Sequence, residues 1–236
     1  MSMLWEDLRD PPSRWDRWKA TVRKQPSAIL LLAQVSVILL LPFLEGNGWG
    51  RAVISLLSLT AVIIAVFTVR STPALTWLSA TLGLPAAAFE VWSLVDDNNT
   101  TILVLAHSAL AVFYFYTAYA LISYMFEDAW VTKDELFAVG ACFTVLVFAF
   151  AYIYLAVQEI WPTSFQSFEG PGRQSFLELI YLSGANLTSV GLSDVGPIRE
   201  QARAIVTIEQ LSGVLYVAMV ISRLVALTVM RACQNS

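Results

Sequence analysis

In a chain of 236 residues, 57% are hydrophobic and only 14% carry charge, a balance that excludes an ordinary soluble domain. The net charge of −4, with basic residues scattered or N-terminal, excludes a nucleic-acid surface. Cys142 and Cys233 lie far apart without metal or redox spacing and read as two unpaired thiols. A hydrocarbon core roughly 30 Å thick takes about 20 apolar residues per helical crossing, so crossings consume most of this length and leave no room for a large soluble domain.

In chain order, residues 1–26 come first as a cytoplasmic or interfacial segment. Met1 to Lys24 lacks the pattern of a cleavable signal peptide and is expected to be retained. Leu4, Trp5, Leu8, Trp15 and Trp18 point to a helix in the membrane interface or to a solvated basic tail, with Pro11 and Pro12 interrupting the pattern. Apolar runs then predict six spans at about Ala28 to Leu44, Ala52 to Val69, Ala74 to Val95, Ile102 to Phe126, Leu136 to Ile160 and Ala202 to Met230. We divide them into a four-helix membrane domain, 27–132, and a second unit, 133–236. Arg9, Arg14, Arg17, Lys19, Arg23 and Lys24 precede the first span and place the N-terminus in the cytoplasm. Arg70, Lys133 and Arg231 then fall inside with the C-terminus, and Asp96 and Asp97 fall outside. The segment Trp161 to Gln201 lies on the outer side, where Arg173, Arg199 and Arg203 run against the charge rule.

Within that segment, Arg173 to Thr188 reads as a short apolar helix following Gly170, Pro171 and Gly172. It is too short to cross and is therefore expected to be re-entrant. Non-helical backbone at membrane depth survives only where protein or a water-filled cavity shields it, and the next residues are Thr188, Ser189, Val190, Gly191, Leu192, Ser193 and Asp194. The run Leu187 to Asp194 resembles the potassium-channel filter Thr-Thr-Val-Gly-Tyr-Gly-Asp. Ile180 to Ser183 resembles that family's pore helix. Arg203, Ala204, Glu209, Gly213, Leu215, Tyr216, Ala218 and Arg223 resemble its inner helix.

The resemblance implies an all-α homotetrameric channel, similar to six-span prokaryotic members, with a re-entrant pore helix and filter between the last two spans. It implies that the Ser189 hydroxyl and the carbonyls of Ser189, Val190, Gly191 and Leu192 coordinate K+ in successive rings, with Thr188 and Ser193 bounding them. Asp194 and Glu209 become filter supports, Glu209 as a brace against the pore helix. Two departures stand out. Ser193 replaces a glycine and must meet a positive φ with strain or take another path. Ala185 replaces a glutamate that in some relatives pairs with the aspartate behind the filter, so the strut there must differ.

Gly213 either lets the inner helix bend during gating or allows close packing. Arg223 is an inner-helix match that could equally anchor the helix at the interface. The fourth span lacks the regularly spaced arginines of a voltage sensor. Its His107 is either a packed neutral histidine or a proton sensor, and Glu90 in the third span is either a structural acid or a ligand site. The expected function is a voltage-insensitive potassium channel of the plasma (inner) membrane, multi-pass, with lipid and permeant monovalent cations as partners. The alternatives are a cation pore of relaxed selectivity and a non-conducting membrane scaffold or regulatory subunit. No nucleophile motif, phosphate loop or clustered ligand set points to an enzyme or a cofactor.

Overall fold

Backbone that leaves water must satisfy its own N–H and C=O groups, which a helix does within one segment. The computed structural model describes residues 25–44, 50–69, 76–95, 99–127, 133–168 and 170–234. Among these are seven helices: α1 (Pro26–Leu44), α2 (Gly50–Val69), α3 (Thr76–Val95), α4 (Thr100–Met125), α5 (Lys133–Ile160), α6 (Phe176–Leu187) and α7 (Glu200–Gln234). Of them α1, α4, α5 and α7 are long and apolar enough to cross a membrane, and α2 and α3 have 20 residues each. The long helices start and stop within a few residues of the expected spans. The tryptophan-rich stretch 1–24 lies outside the described residues.

The helices pack largely in chain order: α1 on α2, α2 on α3, α3 on α4, and most extensively α4 on α5, with α1 returning to α5. Small residues let backbones approach where lipid offers no hydrophobic drive between helices. Ala111 and Ala118 of α4 and Ala138, Ala141, Ala149 and Ala151 of α5 are all buried, and the Cys142 thiol reaches the Ala118 carbonyl oxygen at 3.6 Å. Tyr114 of α4 stacks on Phe148 and Tyr152 of α5, with ring centroids 5.9 and 5.6 Å apart. His107 sits half-buried with its ring 6.4 Å from that of Tyr152, and Glu90 is buried in α3.

Polar contacts fix how α1 sits. The Thr144 hydroxyl of α5 donates to Gln34 Oε1 of α1 at 2.6 Å. At the start of α1, Asp134 of α5 takes the Ser27 backbone N–H at 3.2 Å and its hydroxyl at 2.9 Å, which satisfies one orphan N–H of that helix.

Between α5 and α7 the chain forms a small antiparallel sheet that the apolar pattern did not announce. Its strands β1 (Phe165–Ser167), β2 (Gly170–Pro171) and β3 (Gly196–Pro197) lie in the order β2-β1-β3. Gln166 stands opposite both Pro171 and Gly196, so the sheet ties the approach to α6 to the approach to α7. Phe165 is fully buried against Tyr154 of α5, with centroids 5.2 Å apart.

Candidate functional site

The short helix begins where local chemistry starts it. Ser175 Oγ accepts the Glu178 N–H at 3.3 Å, and Glu178 accepts the Ser175 N–H at 2.6 Å. This reciprocal cap starts α6 at Phe176, three residues later than the apolar run suggests. Arg173 stays outside the helix and pairs with Glu159 of α5. Gln158 of α5 grips the chain just before the cap, its amide bonding the N–H and carbonyl of Gln174 at 3.0 and 3.1 Å. Phe176 then packs on Tyr152, centroids 4.9 Å apart. Twelve residues of helix extend about 18 Å, short of a hydrocarbon core of about 30 Å.

At its other end α6 meets α7 at three successive points. Glu209, fully buried, accepts hydrogen bonds from the Tyr154 hydroxyl of α5 and the Ser183 hydroxyl of α6. The Ser183 hydroxyl also lies 3.0 Å from the Val147 carbonyl oxygen. One residue on, Gln210 Nε2 donates to Asn186 Oδ1 at 3.1 Å. One turn on, Gly213 passes so close to the end of α6 that an added Cβ would stand 2.0 Å from the Leu187 carbonyl oxygen. Helix α7 runs uninterrupted through Gly213, so of the two sequence-based alternatives the geometry supports close packing.

The loop after α6 is held from its helical end. Thr188 caps the helix and its hydroxyl donates to the Gly184 carbonyl at 2.7 Å. The Ser189 N–H donates to the Asn186 carbonyl at 2.9 Å, and the Gly191 N–H reaches back to the Ala185 carbonyl at 2.9 Å. Two residues of the loop take left-handed backbone, Ser189 at φ +59° and Gly191 at φ +69°. Gly191 does so without steric cost; for Ser189 the bond to Asn186 holds a conformation common just past a helix C-terminus.

Ser193 is not in the left-handed region, so it takes another path rather than strain. Its N–H donates to the Gly191 carbonyl and its hydroxyl accepts the Val195 N–H, both at 3.1 Å. Val190 and Leu192 are 60% and 72% exposed in the single chain.

The structure thus gathers Thr188 through Ser193 into one loop at the C-terminal end of α6, where the aligned peptide dipoles of the helix leave a partial negative charge that favours a cation. Glu209 lies behind the helix in a buried hydroxyl network. Asp194 is exposed and stands outside that network. Tyr154, Asn186 and Gln210, which complete the contacts, carry no motif. The signal that points to them is a buried carboxylate in need of donors and a second polar residue beside it in an apolar helix.

Arg223, far along α7, pairs with Glu135 of α5 at 3.2 Å and lies 5.1 Å from the Phe126 ring at the end of α4. It is a tertiary tie rather than a free interfacial anchor.

Residues 140–230 match the model of a family described as Ion channel. The matched stretch covers most of α5, all of α6, the loop and most of α7, less than half of the chain, and supports an ion-channel reading of this region. No curated protein and no solved structure matches the chain.

Proposed function

We propose that the chain is a passive, voltage-insensitive potassium channel in which α5, α6, the loop and α7 supply one quarter of a homotetrameric pore. The observation that carries this reading is a short apolar helix between two span-length helices, ending in the Thr188–Asp194 loop with Val190 and Leu192 uncovered. A lone chain leaves such backbone unshielded in lipid, and four copies around an axis would enclose it. The carbonyls of Ser189, Val190, Gly191 and Leu192, with the Ser189 hydroxyl, then replace the water that K+ gives up. Thr188 and Ser193 bound the path, and Glu209 braces the pore helix through Ser183 and Tyr154.

In this reading all six long helices cross the plasma membrane, α6 and its loop are re-entrant, and both termini face the cytoplasm. Helix α4 holds no arginine or lysine, so conduction is nearly flat with voltage.

One observation favours relaxed cation selectivity as a second reading: the Gly191 carbonyl accepts the Ser193 N–H, which reduces its availability to an ion. Bi-ionic reversal potentials of the purified chain in planar bilayers test both. A large potassium preference supports the first reading and near-equal permeabilities support the second. Well-formed oligomers that pass no ion would overturn the channel reading.

A further inference from the structure

The middle contact between α7 and α6 touches the loop most directly. Asn186 is buried; its side chain takes the Gln210 amide at 3.1 Å, and its own backbone carbonyl holds the Ser189 N–H at 2.9 Å. Asparagine side chains readily bond nearby backbone, which makes them competitors for the hydrogen bonds that define a loop. Here its Oδ1 is occupied by Gln210, while its buried Nδ2 has no hydrogen-bond partner among the described residues, so the Gln210 contact is what holds this side chain in place. Beside it a cavity of about 340 Å³ opens, lined by Asn186, Ser189, Gly191, Thr207, Gln210 and Leu211 among others. A released Asn186 amide would have room to turn toward the Ser189 and Gly191 backbone. Its carbonyl oxygen, buried and without a donor, would have a reason to do so.

We propose that Gln210 and Asn186 are positioning residues that set which cations the loop passes. Gln210 reaches from α7 to hold the Asn186 side chain, so that Asn186 presents only its backbone to Ser189 and keeps that residue in its left-handed conformation. The pair occupies the role left open by Ala185, a strut between the loop and the helices behind it, built here from two neutral amides. This inference rests on the channel reading above.

The test uses the full chain in planar bilayers, with Gln210→Leu and the exchanged pair Asn186→Gln/Gln210→Asn, which keeps two amides of the same combined length. Gln210→Leu is expected to move the potassium-to-sodium permeability ratio about fivefold or more, the population shift one neutral hydrogen bond controls. The exchanged pair is expected to return the ratio to within about twofold of the wild-type value. Thermal stability of the purified oligomer is followed in parallel, because a merely structural role lowers it and leaves the ratio alone. An unchanged ratio in Gln210→Leu, or a ratio the exchanged pair does not restore, overturns the inference while conduction persists. A wild-type chain that passes no cation overturns the channel reading instead.

Discussion

Gly213→Ala separates a packing glycine from a bending one by the sign of its effect on stability. The new methyl would stand 2.0 Å from the Leu187 carbonyl oxygen and 2.8 Å from its carbon. Carbon–oxygen contacts begin at about 3.3 Å, so the helices must part by roughly 1.3 Å. The atoms met belong to the backbone at the end of α6, so no rotamer change relieves the clash. Overpacking costs about 1–3 kcal/mol, and a backbone clash belongs at the upper end. Alanine in a helix interior returns about 1 kcal/mol relative to glycine, leaving a net loss of about 2 kcal/mol. A glycine that served only as a hinge would give the opposite result, a gain of about 1 kcal/mol. Thermal unfolding of the purified protein followed by circular dichroism reads the sign. Single-channel conductance is expected to fall in parallel, because Leu187 carries Thr188 and Ser189 with it. A variant as stable as wild type with unaltered conductance would refute the contact argument.

Replacing Glu209 by leucine strands the Tyr154 hydroxyl in a buried site while Ser183 keeps the Val147 carbonyl; unfolding should show a loss of about 1–3 kcal/mol, and Tyr154→Phe, which leaves the Glu209 carboxylate short of a donor, a comparable loss. Removing one partner of the Arg223–Glu135 pair, whose side chains are 13% and 5% exposed, is expected to cost up to about 3 kcal/mol. The charge exchange Glu135→Arg/Arg223→Glu should recover part of it, and additive losses in that cycle would show that the two do not act as a pair. Ser193→Gly deletes the acceptor of the Val195 N–H and frees the backbone at that position. The potassium-to-sodium permeability ratio should rise, and equal ratios for wild type and variant would show that Ser193 is merely tolerated.

The membrane character and the positions of the long helices follow from run length and composition, properties that add up along the chain without knowledge of neighbours. The cap that starts α6 was also written locally, as Ser175 followed three residues on by Glu178; the apolar run starting near Arg173 obscured it. Glu209 was conspicuous as an acid in an apolar span, but its donors come from residues 55 and 26 positions away. Gln210 and Asn186 join across 24 positions, and Arg223 and Glu135 across 88.

Ser193 shows the same division within a single loop. Sequence poses the choice between strain and another path, and only the turn after α6 sends the left-handed residues to Ser189 and Gly191. For Gly213, sequence leaves bending and packing equal, because glycine suits both and only the distance to Leu187 separates them. Sequence alone determined that this chain belongs in lipid, where its helices run and which short segment is too brief to cross. Tertiary structure decided which polar groups meet. Hydrophobic burial depends on the amount of apolar surface and hardly on direction, whereas a hydrogen bond exists only when two particular atoms come within about 3 Å at a favourable angle.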